Sequence, residues 1–490
     1  MSIASRRALF ASLLSSAGLA ASEPADKALP APEQTSLLLS RITFGPRQED
    51  FDAVQRFGLN AYLEAQLNYT SIDDSAIENA LEANFSTLRM SNLELLTLAR
   101  SSQQAQFQAL GELRAATMLR QIYSPRQLFE VMVEFWNNHF SVEHTDGPIQ
   151  SYKTTDDAAI RRNAMGRFRD LLRENARSPA MLYYLDNYAS TRLGPNENYS
   201  RELLELHTLG VNGGYTENDV KEVARILTGW TIDRRNGDFT FLQAIHDFGP
   251  KLVMGLPYPA NRGIEEGQEL LDFLASHPST ASFIATKLVR RFVADSPPAA
   301  LVRQVADVFL QTDGDIRAML RTIFTSSEFA ASADQKVKRP AEFIQSALRA
   351  TNAQLTGTTY FRALNDRLNN MGQLPFMWPA PNGYPDVQNY WINTTAWLNR
   401  WNFSFALLEG RIDRGIRIDL NALMGNASTA AQVVDNLTAR LLRRPLTAED
   451  RNTLLALAGN SSARLSPEER LARGREVAAV LLSSNYFHFR

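Results

Sequence analysis

Ser124-Pro125-Arg126-Gln127-Leu128-Phe129-Glu130-Val131-Met132-Val133-Glu134-Phe135-Trp136-Asn137-Asn138-His139-Phe140 reads as one strong helix and sets the fold class. Proline at the first turn loses no hydrogen bond, because that N–H has no intrahelical partner anyway. Phe129, Met132, Val133 and Trp136 recur at helical spacing and line a core face. Glu130, Glu134 and Asn138 form a separate polar stripe on the same helix. His139 falls four residues after Phe135 and seven after Met132, so it sits on the apolar face.

The same period extends in both directions. Leu37, Leu38 and Ile42 begin a helix that Gly45-Pro46 stops, and Phe51, Val54 and Phe57 mark another that Gly58 ends. Residues 70–110 are polar and weakly periodic, a variable helical insertion. Helices are expected near 155–164, 166–177, 179–186 and 197–209, and Thr216-Glu217-Asn218-Asp219 is a near capping box for one ending by Trp230. Between 238 and 254 the alternation of Phe239 and Phe241 after Asn236-Gly237 predicts a small β-hairpin or two short strands. Helices resume at 264–276, 279–293, 298–311, 315–325, 340–351 and 360–370. Gly372–Tyr390 is a long loop rich in proline and aromatic residues. Helices return from about 394. The expected fold is mainly α: one large multi-helix domain over 35–490, with a boundary near 390 that would set off a C-terminal helical subdomain.

The N-terminus reads as an export signal. Arg6 and Arg7 precede the apolar run Ala8–Leu19 and the small residues of Gly18-Leu19-Ala20-Ala21. The expectation is a signal peptide over 1–21, a flexible lead-in over 22–34, and a periplasmic or secreted mature chain. Ser5-Arg6-Arg7-Ala8-Leu9-Phe10 fits either a twin-arginine or a general secretory route. The run is too short to span a bilayer, and no later segment is apolar enough to do so. A net charge of −2 gives no reason to expect nucleic acid as a partner. Cysteine is absent, so there are neither disulfides nor thiolate ligands, and any metal would rest on His, Asp, Glu or backbone oxygen.

Four of the six histidines, His139, His144, His207 and His246, fall in one stretch with dense polar strings. In Asn196–His207, Glu202 and Glu205 are neighbours at i, i+3, and Arg201 pairs with Glu205 at i, i+4. His207 points away from Glu205 if that helix is regular, so the two would not serve one ion. The spacing is neither the zinc-protease His-Glu-x-x-His nor the di-iron Glu-x-x-His. His246-Asp247, beside Gly249 and Lys251, suits an exposed site at a strand end. The bland alternative for His139 is a buried imidazole bonded to backbone, and for the carboxylates a structural Arg–Glu network.

Taken together, the strings resemble the bacterial domain-of-unknown-function 1800 family. They are Leu39–Pro46, Phe135–Phe140, Arg162–Leu172, Ser178–Asp186, Asn196–Leu203, Glu205–Gly210, Gly214–Glu217, Leu227–Trp230, His246-Asp247, Lys287-Leu288, Lys338-Arg339-Pro340 and Pro381–Asp386. The resemblance runs from about 37 to 489. It implies an exported bacterial protein, encoded in many cases beside an exported protein of the domain-of-unknown-function 1501 family, which resembles alkaline phosphatases and sulfatases. It transfers no catalytic roles.

Three functions are consistent with these residues. In the first, a metal-assisted hydrolase gathers His139, His207 and His246 around a divalent ion, with Glu202, Glu205 or Asp247 as further ligand or general base. The second is a metal-independent, lyase-like enzyme acting on polysaccharide. The third is a non-catalytic helical partner of a co-exported phosphatase- or sulfatase-like protein.

Overall fold

The computed structural model describes residues 29–143, 147–459, 462 and 464–490. The expected signal peptide, most of the lead-in and His144 lie outside them. The described chain is mainly α, with 27 α-helices and three two-stranded antiparallel sheets. None of these helices is long and apolar enough to cross a membrane.

The expected helix runs Gln127–His139, and its apolar face is buried as the spacing requires. Trp136 is fully enclosed, and its indole N–H donates to the carbonyl of Ala164 at 2.9 Å. That bond satisfies the one polar atom of a side chain whose burial is worth about 2–3 kcal/mol. Thr216 caps the helix Glu217–Ile226, and Asp219 closes the box by accepting from the Thr216 backbone N–H at 2.7 Å. The insertion at 70–110 is helical, with Ser75–Asn84 and Asn92–Ser101 as its main pieces.

Two short strands do lie within 238–254, Phe239–Phe241 and Lys251–Val253, but they do not pair with each other. The first pairs backwards with Trp230–Ile232 and the second forwards with Leu256–Tyr258. Helix 197–209 is also not uniform. Glu197–Glu202 is α-helical, and Leu203–Thr208 widens to a π-helix in which the Leu209 N–H reaches back five residues to Leu204.

Contacts divide the chain into two compact units. One holds the described residues up to Tyr62 together with Ala330–Gln373 and Val387–Arg490. In it residues 336–338 run antiparallel to 488–490, and Phe343 of the helix Pro340–Ala350 stacks on His488 at 4.9 Å. The other unit holds Leu63–Phe329 and the loop Leu374–Asp386.

Candidate functional site

The end of the helix Gln127–His139, in the second unit, is a junction for four separate parts of that unit. Asn137 Nδ2 donates to Asp157 at 2.7 Å. Asn138 clamps the loop: its Nδ2 donates to the Tyr384 carbonyl at 2.9 Å, and its Oδ1 accepts from the Tyr384 N–H at 2.7 Å. His139 is buried, with Nε2 3.1 Å from the backbone oxygen of His207. A carbonyl only accepts, so Nε2 carries the proton and Nδ1 is left as acceptor. The acceptor is filled by Nζ of Lys287, at 2.8 Å.

His139 is therefore neutral, with both ring nitrogens engaged. Burial, then the Lys287 charge, then His207 push its pKa well below the ordinary value, and the bond to the His207 backbone opposes them only weakly. Lys287 itself sits on the helix Pro278–Phe292 and is half-buried. Burial lowers its pKa to about 8, helped by Arg290, while the Asp386 carboxylate at the end of the clamped loop opposes the shift.

His207 is enclosed on the π-helix, against Phe140 at 5.2 Å, His139 at 6.2 Å and Tyr199 at 6.4 Å between ring centroids. Neither of its ring nitrogens, nor the Tyr199 hydroxyl, meets a hydrogen-bond partner among the described residues. Burial and the nearby Lys287 charge lower its pKa to about 3, so it too is neutral. Glu202 and Glu205 lie on the other, half-buried side of the same segment. Burial, then repulsion from Glu205, raises the pKa of Glu202. Glu205 is within 3.4 Å of the Tyr215 hydroxyl. Arg201 does not pair with Glu205 as its spacing suggests. It reaches Glu217 at 2.7 Å instead, because the start of the following helix presents a carboxylate to it. Tyr184 donates to the Pro379 carbonyl at 3.0 Å, and its phenol is held in the protonated form by burial, then by Glu143 and Glu202.

His246 and Asp247 belong elsewhere. The expected exposed site is a buried one: His246 is fully enclosed, with Nδ1 2.7 Å from the Thr228 carbonyl and Nε2 2.7 Å from Glu266. Glu266 also receives Lys251 at 2.5 Å. Asp247 takes Arg225 Nε at 2.7 Å and the Gly249 N–H at 2.8 Å. The pair thus ties the strand Lys251–Val253 to the helices Glu217–Ile226 and Ile264–Ser276. The three-histidine centre expected from sequence is corrected accordingly. His139 and His207 meet, but His139 has no lone pair to offer, and His246 is committed to a different cluster. Among the described residues no three His, Asp or Glu side chains are grouped to hold an ion.

A family model for proteins of unknown function, DUF1800, matches residues 37–489. The chain belongs to the DUF1800 family. No curated protein and no solved structure matches it.

Within this DUF1800 chain, four strings that are far apart in sequence meet at one place. Phe135–Phe140 supplies His139 and the Asn138 clamp, Glu205–Gly210 supplies the His207 carbonyl, Lys287-Leu288 supplies the amine, and Pro381–Asp386 supplies the loop. Lys287 and Asp386 were not among the candidates read from sequence. One signal was available for Lys287. It lies three residues after Ile284 and four after Phe283, so a lysine interrupts an apolar stripe.

Chemically, an amine whose pKa is near 8 is available in both protonation states around neutral pH. His139 fixes its position, since Nδ1 accepts one of its N–H bonds. Glu202 and Tyr184 are held towards their protonated forms by burial.

Proposed function

We propose that this protein is an exported enzyme whose proton acceptor is Lys287. His139 is a positioning residue that aims the amine, and Asp386 tunes its charge. The observation that carries this reading is the half-buried Lys287 held on His139 Nδ1, with its pKa brought to about 8. A lysine that served only to fill the core would gain more from a paired carboxylate than from a neutral imidazole. The chemistry that fits is proton removal by the neutral amine, from an attacking water in a hydrolysis or from the substrate itself in an elimination. Tyr184, held in its protonated form, would donate a proton to the leaving group, and Glu202, whose pKa is raised, lies on the neighbouring segment. Acidic polysaccharides and esters are the substrate classes to try first. Export rests on residues 1–21. It requires the mature chain isolated from the periplasm or medium to begin near residue 22.

The test is a panel of uronate-containing polysaccharides, carboxylic esters, phosphomonoesters and sulfate esters, assayed with the full chain and with Lys287→Met. The expected result is one activity whose rate rises through about pH 8 and that Lys287→Met abolishes while Tm is held. If the panel shows no activity and Lys287→Met lowers Tm as a core substitution does, the proposal fails.

One observation favours a second reading, a non-catalytic helical partner of a co-exported domain-of-unknown-function 1501 protein. Many of the polar strings are satisfied internally, as the Asn137–Asp157 and Asn138–Tyr384 bonds illustrate. Co-purification with that protein, unaffected by Lys287→Met, would support it.

A further inference from the structure

A small, partly open cleft lies in the other unit. Its lining includes four basic residues, Lys338, Arg443, Arg444 and Arg490, and one acidic residue, Asp334. Asp334 is taken by Arg444, at 2.6 Å, and Glu342 is shared between Arg490 at 2.9 Å and Arg339 at 3.2 Å. Arg443 bonds Gln48 at 2.7 Å and lies over Phe51.

Lys338 is different. It is 8% exposed, yet no carboxylate among the described residues forms an ion pair with it. Its Nζ donates to Ser346 Oγ at 2.9 Å and lies 3.6 Å from the centre of the Phe487 ring. Both of those residues also line the cleft. A hydroxyl and a ring face stabilise an ammonium group, but neither brings a formal negative charge, and a buried cation without a counter-ion is costly. The groups acting on it are Arg490 and Arg400, which repel its charge, and Glu342, which attracts it. Burial is the largest influence, and the net result is a pKa of about 7. The close approach that forms this wall depends on Gly45. It has φ +117°, and an added Cβ would lie 2.4 Å from that of Ser346.

We propose that this cleft binds a small anionic ligand, with an oxyanion seated against Lys338 and Ser346 as the missing counter-ion. Leu441, Leu442 and Phe489 in the lining would accept an apolar portion of the ligand. This site is independent of Lys287, and neither proposal depends on the other.

The experiment is calorimetric titration of the full chain with inorganic sulfate and, separately, with octanoate. Sulfate has no titration of its own near neutrality, so pH acts through the protein. With the ligand requiring the ammonium form of a group with pKa about 7, affinity should fall about tenfold between about pH 6 and about pH 8. Lys338→Met should weaken binding at least tenfold and Ser346→Ala several-fold. The second variant, with the pH series on the unaltered chain, keeps the test decisive if the first fails to fold. Tighter binding of octanoate than of sulfate identifies an organic anion, and the reverse identifies a free inorganic one. No saturable binding of either probe overturns the proposal. So does binding indifferent to pH and to Ser346→Ala.

Discussion

Replacing Gly383 by alanine would place a methyl carbon 2.0 Å from the backbone oxygen of Asn138. That oxygen belongs to the last turn of the helix Gln127–His139, whose apolar face is locked in the core, so the helix cannot give way. The loop must move instead. Gly383 also has φ +73°, which costs a residue with a side chain about 1–2 kcal/mol. Undocking breaks the two bonds between Asn138 and Tyr384, each worth about 1 kcal/mol. The total, about 3–4 kcal/mol, is paid locally, because the loop can lift without unmaking the helices beneath it. Asp386 lies three residues further on, and it is the charge that holds the Lys287 pKa up. Gly383→Ala should therefore free the Tyr384 amide to exchange with solvent and move the Lys287 midpoint below about 8. The two readouts are amide hydrogen exchange and an NMR titration of the lysine Cε resonances. A variant whose Tyr384 amide stays protected and whose Lys287 midpoint does not move refutes the coupling between loop and amine.

Two further substitutions test the energetics of the same unit. Asp74 is buried and accepts from Ser124 at 2.9 Å; burial raises its pKa from 3.8 to about 6 against that bond. The folded state thus holds this proton more tightly than the unfolded chain, so its stabilising effect is present at acidic pH and is lost as pH rises through about 6. Asp74→Asn should raise stability at neutral pH by up to about 3 kcal/mol and flatten the dependence between pH 4 and 6, read from urea denaturation at each pH. Arg161 makes a two-point ion pair with buried Glu130, at 2.6 and 2.9 Å. Arg161→Met leaves that carboxylate without its partner and should cost about 3–5 kcal/mol, whereas Arg161→Met with Glu130→Leu should recover most of the loss. Equal stability of the single and double variants would contradict this.

The helical architecture was legible because its signal is local. Phe129, Met132, Val133 and Trp136 mark a buried stripe by spacing alone, and Thr216 and Asp219 mark a helix start four residues long. Partners distant in sequence leave no such trace. His246 looked exposed because Asp247, Gly249 and Lys251 follow it in the chain. What encloses it, Glu266 and Thr228, comes from other elements. The strands near 240 and 252 were readable as strands, but each found its partner outside the stretch that suggested a hairpin. The π-helical turn at Leu203–Thr208 depends on packing that no periodicity records. Of the candidate histidines, His139 fell where its helical face placed it. Its real significance lay in the lysine that reaches it from a helix 148 residues away.

The proton-accepting role of Lys287 stands or falls on the titration of its amine. In the full chain, with lysine labelled at Cε and Lys287→Met used to assign the resonance, the midpoint should lie near 8. A midpoint near 10.5, the ordinary lysine value, would mean that the amine is not held on His139 in a buried site, and the proposed proton acceptor would be lost.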